Sequence, residues 1–272
     1  MRRIPAPAKL NLALVVGPRR EDGRHQVTTV LQRLDLADRV TIEQADGLRV
    51  AGFEQDTLVR AALVRLATAA GVEPRWQARI DKRIPVAAGL GGGSSDAAAA
   101  LLLANRTLGK PLDSSALHML GAEIGTDVPF FLHSGPALGT GAGDELEPLD
   151  LPQDFWVVLL LAEGAAKSST ADVYAAFGGR GGEEGYAQRR DALLDALRAV
   201  RRPRDLAALP PNDLASSELA LRLLDHGAFR ADVSGAGPIV YGLFMHRAPA
   251  ERAARQLGRL GQTWVTVPAW YG

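Results

Sequence analysis

The chain has 272 residues, 47% of them hydrophobic and 23% charged, which is the composition of an ordinary soluble globular protein and the length of one large or two modest domains. Its formal net charge is zero, which excludes a global electrostatic attraction to nucleic acid or anionic lipid, so binding must come from a local site. Cysteine is absent, which excludes disulfides, thiolate nucleophiles and cysteine metal sites and agrees with a cytoplasmic protein.

Strand patterns dominate the start of the chain. Apolar residues alternate with smaller or polar ones over 10–16 and predict a strand that ends at Gly17. The segment 19–25 then places six ionisable residues around one glycine, and composition alone leaves open whether it is a solvated hairpin tip or a binding loop. Extended patterns follow over 27–43 and 48–53.

A glycine-rich segment at 84–98 is the most informative part of the chain. It follows a predicted helix between Asp56 and Gly71 and a predicted strand over 75–84. Four of the five residues at 89–93 are glycines, which permit close backbone approach. The Ser-Ser-Asp and alanine run behind them opens a helix whose free N–H groups face forward. This junction predicts a phosphate-binding loop.

Two better-known phosphate loops fit this segment poorly. A Walker A loop requires Gly-Lys followed by Ser or Thr, which the sequence lacks. A Rossmann loop requires a strand after its helix, whereas a second predicted helix follows here, capped by Asp113 and ended by Gly125. Next comes Asp127, before an apolar run, and the sequence leaves open whether it caps a turn or acts in catalysis.

Composition changes near Leu151, and we place a domain boundary there, with one domain at 1–150 and a second at 151–272. Before it, turns are predicted at Gly135, Gly139, Gly141 and Gly143. After it, strands are predicted at 156–162, 230–233, 239–244 and 263–267. Helices are predicted at 186–200, 213–224 and 249–260, and a flexible glycine-rich connector at 178–185. Strands and helices intermix on a mostly antiparallel plan, which predicts an α+β fold.

Phosphoryl transfer needs a cradle for the donor phosphates, Mg²⁺, and a group that positions or deprotonates the acceptor hydroxyl. The hydroxyl of Ser94 or Ser95 is a candidate metal ligand, and Asp127 is a candidate proton acceptor. Lys9 lies in an apolar strand, where a buried ammonium needs a carboxylate or phosphate partner, but a snorkelling lysine at a strand edge is also open. The five histidines lack zinc-site spacing, so we expect them at the surface or in the core.

Three motifs resemble those of the GHMP small-molecule kinases in order and spacing. They are residues 7–12 (PAKLNL), the glycine loop at 85–95, and residues 233–238 (VSGAGP). Within that superfamily, residues 20–25 (REDGRH), 125–131 (GTDVPFF) and 169–174 (STADVY) resemble the branch that acts on a cytidine-diphosphate-linked methylerythritol. The resemblance covers nearly the whole chain.

The resemblance implies a two-domain GHMP kinase fold, with an N-terminal domain like a ribosomal protein, a ferredoxin-like C-terminal domain, and the active site between them. It implies ATP-dependent phosphorylation of a hydroxyl in non-mevalonate isoprenoid synthesis. It implies catalytic roles for Lys9 and Asp127. The implied ATP-binding residues are Pro85, Val86, Ala87, Ala88, Gly89, Leu90, Gly91, Gly92, Gly93, Ser94 and Ser95. We assign Mg²⁺ to Ser95.

The resemblance also implies a substrate pocket. Asn11 and Thr170 would contact the substrate, His25 would hydrogen-bond the cytosine, and Tyr174 would stack on it. The residue before that histidine is usually tyrosine, and here it is Arg24, whose guanidinium plane can also stack on a base. In the third motif, Ala236 occupies a position where the family frequently has serine.

The expected ligands are ATP, Mg²⁺ and a small cytidine-diphosphate-linked substrate. We expect no nucleic-acid partner, no signal peptide and no membrane span, since no run approaches ~18 apolar residues. We expect a cytoplasmic monomer or weak homodimer. One alternative is another GHMP kinase, acting on homoserine or mevalonate, against which the segment 22–25 argues. A second is a non-catalytic RNA-binding module, which the balanced charge and the glycine loop disfavour.

Overall fold

Two β-sheets organise the chain, and the computed structural model describes residues 2–165 and 169–269. The first sheet contains β1 (Arg2–Arg19), β2 (His25–Gln44), β3 (Arg49–Ala51), β4 (Trp76–Asp81), β5 (Ala137–Thr140) and β6 (Glu145–Pro148). The second contains β7 (Trp156–Ala162), β8 (Arg230–Val233), β9 (Val240–Phe244) and β10 (Gly261–Thr266).

The strand order is β3-β4-β2-β5-β6, with β1 also paired to β2, in the first sheet and β10-β7-β9-β8 in the second. Among the described residues, the strand pairs are antiparallel except for β3 with β4. The predicted α+β class with a mostly antiparallel plan is therefore confirmed.

The helices lie between and outside these strands. They are α1 (Leu58–Ala70), α2 (Gly92–Asn105), α3 (Ser114–Ile124), α4 (Val128–Leu132), α5 (Thr170–Gly179), α6 (Tyr186–Ala199), α7 (Glu218–Asp225) and α8 (Arg247–Leu257), with short 3₁₀ turns at Pro203–Ala208 and Gly258–Leu260. Within residues 2–165 and 169–269, no helix is long and apolar enough to cross a membrane.

Local signals set the ends of the first helices as predicted. The Asp56 carboxylate accepts a hydrogen bond from the N–H of Val59, and α1 ends at Gly71 in the left-handed conformation. The Asp113 carboxylate likewise accepts from the N–H of Ala116 at the start of α3. By contrast, α2 has no polar face, because its alanine and leucine run is buried against α1 and the first sheet.

Two local predictions are wrong. The helix expected over 213–224 begins only at Glu218, because Asp213 accepts from the N–H of Val16 on β1 and from Arg189, which holds its segment out of a helix. The turn expected at Gly139 is also wrong, because this residue lies within β5, whereas Gly141 and Gly143 lie, as predicted, in the turn that joins β5 to β6.

One hydrophobic core joins the two halves. It contains Leu10 and Leu12 of β1 together with Leu159 of β7, Leu193 of α6 and Tyr241 of β9, all fully buried. These apolar contacts join residues before and after position 150. The proposed boundary between domains 1–150 and 151–272 stays a prediction.

An irregularity in β1 ties the second half to the strand that carries Lys9 and Asn11. The pairing of β1 with β2 shifts register between Asn11 and Ala13. The Leu12 carbonyl accepts hydrogen bonds from Arg230 Nη2 at 2.6 Å and from the Tyr241 hydroxyl at 3.2 Å. Such bulges re-aim neighbouring side chains next to functional sites.

Candidate active site

A cavity of about 380 Å³ is lined by residues from both halves of the chain. Its walls include Lys9 and Asn11 of β1, Asp127, the loop 85–94, Thr170 and Tyr174 of α5, and residues 235–237. The structure therefore brings together the three segments that the sequence motifs single out. Three predicted site residues, Arg24, His25 and Ser95, do not line this cavity.

Lys9 is a buried cation with polar partners. Its side chain is 6% exposed, and Nζ donates to Asn11 Oδ1 at 2.7 Å and lies 3.7 Å from Asp127 Oδ2. Asn11 in turn donates to Thr29 Oγ1 at 2.8 Å, which fixes the amide and leaves its oxygen toward the lysine. The alternative of a snorkelling lysine at a strand edge is therefore wrong.

Asp127 immediately precedes α4 and keeps 39% of its side chain exposed. No side-chain cap hydrogen bond occupies its carboxylate at the start of that helix. The carboxylate thus faces the cavity beside the Lys9 ammonium, where it can meet a ligand hydroxyl.

The glycine loop depends on glycine at two positions above all. Gly89 has φ +86°, and a Cβ there would lie 2.7 Å from the Ser234 carbonyl oxygen. Gly91 has φ +69°, and a Cβ there would lie 3.0 Å from Lys9 Cγ and from the Phe131 ring. Both positions therefore require glycine, because a Cβ would disfavour the positive φ and would lie too close to neighbouring atoms.

The predicted helix behind the loop begins earlier than expected. It starts at Gly92 rather than at the serines, and the Ser95 N–H donates to the Gly91 carbonyl at 2.9 Å. The first N–H groups of a helix have no intrahelical acceptor, and those of Gly92, Gly93 and Ser94 belong to residues that line the cavity. This arrangement suits an anionic ligand such as a phosphate.

Ser94 and Ser95 differ in their surroundings. Ser94 lines the cavity, whereas Ser95 is 1% exposed and its hydroxyl has no hydrogen-bond partner among the described residues. Within that part of the chain, no three His, Cys, Asp or Glu residues cluster closely enough to hold a metal ion. The cavity lining includes oxygen groups of the hard type that Mg²⁺ prefers, among them the Ser94 hydroxyl and the Asp127 carboxylate.

His25 and Tyr174 pack against each other at one end of the site. Their ring centroids are 5.0 Å apart, so a base does not fit between them. His25 Nδ1 lies 3.0 Å from the Gly17 carbonyl and 3.6 Å from Glu183 Oε1. Burial, with the nearby charge of Asp127, raises the pKa of Tyr174 to about 12. Arg24 is exposed in the preceding turn, and its stacking role stays a prediction.

Sequence reasoning missed Lys82, which also lines the cavity. Its ammonium donates to Asp38 and, at 2.9 Å, to Asp96. Burial raises the pKa of Asp96 to about 7 because the effect of desolvation and the repulsion from Asp38 exceed the attraction of Lys82. In the sequence, the position of Lys82 directly before the glycine loop was the signal that could have identified it as a site residue.

The raised pKa of Asp96 predicts a pH-dependent stability. From about pH 4 to pH 7 the unfolded chain ionises this carboxyl while the folded chain holds it protonated, so its contribution to stability is lost as pH rises. We expect Asp96→Asn to gain on the wild type by on the order of 3 kcal/mol between pH 4 and pH 8. Urea unfolding across this range measures the difference. Parallel stability curves would contradict it, and Asp81→Asn, a half-exposed neighbour, is the control.

Two family models match the chain, the GHMP kinases N terminal domain over residues 57–135 and the GHMP kinases C terminal over residues 217–263. A 4-diphosphocytidyl-2-C-methyl-D-erythritol kinase from Anaeromyxobacter sp. (strain Fw109-5) is 39% identical, with 93% of this chain and 85% of that protein covered. One from Nocardia farcinica (strain IFM 10152) is 41% identical, with 86% and 82% covered. The chain belongs to the 4-diphosphocytidyl-2-C-methyl-D-erythritol kinase family.

A solved structure agrees with this membership. The crystal structure of a 4-(cytidine 5'-diphospho)-2C-methyl-D-erythritol kinase matches with a TM-score of 0.80 at 32% identity, over 98% of this chain and 99% of that one. A mevalonate kinase structure matches with a TM-score of 0.77 at 14% identity, over 98% and 99%, which shows the fold alone. The predicted kinase class and two-domain GHMP kinase fold are confirmed, and the RNA-binding alternative is wrong.

Proposed function

We propose that this kinase transfers the γ-phosphoryl group of ATP to a hydroxyl of 4-diphosphocytidyl-2-C-methyl-D-erythritol, a step of non-mevalonate isoprenoid precursor synthesis. The observation that carries the proposal is the Lys9–Asp127 pair, which lines the same cavity as the glycine loop. The proposal also draws on curated relatives of that name that cover most of the chain.

In the proposed reaction, the substrate hydroxyl oxygen attacks the γ-phosphorus and the bond to ADP breaks. The hydroxyl proton passes to the Asp127 carboxylate, whose open position at the cavity suits a general base. Lys9 places a positive charge beside this carboxylate and next to Gly91. This charge would stabilise the negative charge of the phosphoryl group during transfer. Asn11 keeps the ammonium in place.

The N–H groups at the start of α2 would hold the ATP phosphates, with Gly89 and Gly91 giving the loop its close approach. The Ser94 hydroxyl would be a protein ligand of Mg²⁺, which would neutralise charge on the phosphates when bound. Ser95 is buried and does not line the cavity, and its metal role stays a prediction. The cytoplasmic location and the monomer or weak homodimer also stay predictions.

Thr170 and Tyr174 would contact the cytidine-linked substrate from the second half of the chain. We expect Tyr174→Ala to weaken substrate binding by roughly five- to 150-fold, because stacking a base on a side chain contributes ~1–3 kcal/mol. The turnover number kcat should change less, since the base is held equally in the ground and transition states. Steady-state kinetics measure both values. A KM that stays at the wild-type value would place the base elsewhere.

His25 would read the base edge next to that stacking surface. We expect His25→Ala to reduce the preference for the cytidine substrate over its uridine analogue, because an unpaired polar edge is what rejects the wrong base. The ratio of the two kcat/KM values measures this preference. An unchanged ratio would show that His25 does not read the base.

The proposed function is tested by measuring ATP-dependent phosphorylation of three acceptors, namely the cytidine-linked methylerythritol, homoserine and mevalonate. We expect kcat/KM for the cytidine-linked substrate to exceed the other two by orders of magnitude. A preference for homoserine or mevalonate would overturn the assignment within the kinase class.

A further inference from the structure

An ionic triad of Asp38, Lys82 and Asp96 connects the two ends of the glycine loop. Asp38 lies on β2, Lys82 follows β4 just before the loop, and Asp96 lies in the first turns of α2 just behind it. The Lys82 ammonium donates to both carboxylates, at 2.9 Å in the case of Asp96. The proposed phosphoryl transfer uses none of these groups.

Asp38 also holds the entry to the loop through the backbone. Its second carboxylate oxygen accepts from the N–H of Arg83 at 2.5 Å and from the N–H of Ile84 at 2.8 Å. The Asp38 side chain is completely buried, so these bonds do not compete with water. Residues 83 and 84 are thereby fixed to the central strand of the first sheet.

Lys82 holds the exit from the loop at the same time. Through Asp96 it fixes the first turns of α2, and a Cβ on Gly92 would lie only 3.2 Å from Lys82 Nζ. The ammonium therefore sits directly under the residue that opens the helix. The ammonium also lies 5.5 Å from the centroid of the Phe53 ring.

The charge balance of the triad bears on its role. The Asp38 carboxylate alone balances the charge of the Lys82 ammonium, so the triad has no spare positive charge for a phosphate whether Asp96 is ionised or protonated. Breaking a buried pair leaves an uncompensated charge, which makes its geometry costly to change. The triad is thus better suited to fix backbone positions than to bind an anion itself.

We propose that Asp38, Lys82 and Asp96 are positioning residues that set the affinity for ATP by holding the backbone N–H groups of the glycine loop in place. The inference rests on the proposed function only in that the loop binds the phosphates of ATP. In this proposal Lys82 acts indirectly, by positioning the loop, and its ammonium does not contact the nucleotide.

Asp38→Ala separates the two roles of Lys82. If the triad positions the loop, this variant weakens MgATP binding by about tenfold or more, because displaced backbone donors lose hydrogen bonds to a charged group. If Lys82 instead contacted the phosphates directly, removal of Asp38 would free its ammonium and tighten MgATP binding. Isothermal titration of the full-length enzyme with MgATP, without an acceptor substrate, measures the dissociation constant.

Further variants guard against general loss of structure. Asp38→Asn keeps an acceptor oxygen and should weaken binding less than Asp38→Ala, while Lys82→Met should weaken it and Lys82→Arg should largely restore it. Titrations are run well below the melting temperature of each variant. Asp81→Ala removes an exposed carboxylate on the adjacent residue and should leave the dissociation constant unchanged.

A dissociation constant for Asp38→Ala within threefold of wild type, or below it, would overturn the proposal. A Lys82→Arg variant no better than Lys82→Met would do the same. Failure of the proposed function gives a different result, in which the wild-type enzyme binds MgATP in these titrations but does not phosphorylate the cytidine-linked acceptor.

Discussion

Asp127→Asn should lower kcat by about 10²- to 10⁴-fold, the usual cost of losing a general base. Asparagine preserves the size of the side chain but cannot accept a proton, and in the structure the carboxylate stands free of capping contacts beside the Lys9 ammonium. MgATP affinity should change little, because the glycine loop and not Asp127 forms the phosphate cradle. Single-turnover kinetics with saturating ATP measure the chemical step.

Asp150→Asn is a suitable control for this experiment, since Asp150 is exposed and does not line the cavity. It should retain wild-type kcat. Full activity in Asp127→Asn would remove Asp127 from the proposed mechanism and leave its position beside Lys9 as a structural pair.

Gly89→Ala should weaken MgATP binding by at least about tenfold. A left-handed conformation costs a residue with a Cβ about 1–2 kcal/mol, and here the added atom would also meet the carbonyl oxygens of Ser234 at 2.7 Å and Gly237 at 2.9 Å. These are backbone atoms of the third motif, which cannot rotate away, so the loop itself must move. Titration with MgATP measures the loss of affinity.

Gly109→Ala provides the matched control, because that glycine has no left-handed φ and no atom within 4 Å of its added Cβ. Its MgATP affinity should equal that of the wild type. If Gly89→Ala binds MgATP as well as Gly109→Ala does, the loop is only a turn and the nucleotide lies elsewhere.

Much of the fold could be predicted because its signals are local. Capping by Asp56 and Asp113, the stop at Gly71 and the apolar run of β7 all follow from short patterns, and each lies where it was expected. The helix predicted from Asp213 failed because that carboxylate binds β1, a contact that local periodicity does not contain.

The site was predicted in part for the same reason. Motif order places Lys9, Asp127 and the glycine loop together, but it does not reveal which glycines need a positive φ. The triad of Asp38, Lys82 and Asp96 was missed because Asp38 lies 44 positions before Lys82 in the chain. The two residues come together only through the pairing of β2 with β4, which the sequence does not reveal. Contacts of Glu183 with His25 escape the sequence likewise.

Phosphorus NMR of the reaction products tests the central claim most directly. After incubation of the wild-type enzyme with ATP, Mg²⁺ and 4-diphosphocytidyl-2-C-methyl-D-erythritol, we predict a new phosphomonoester resonance, retention of the substrate diphosphate resonances, and one ADP formed for each phosphomonoester. ADP formation without the phosphomonoester, or loss of the diphosphate resonances, would contradict the proposed transfer to a substrate hydroxyl.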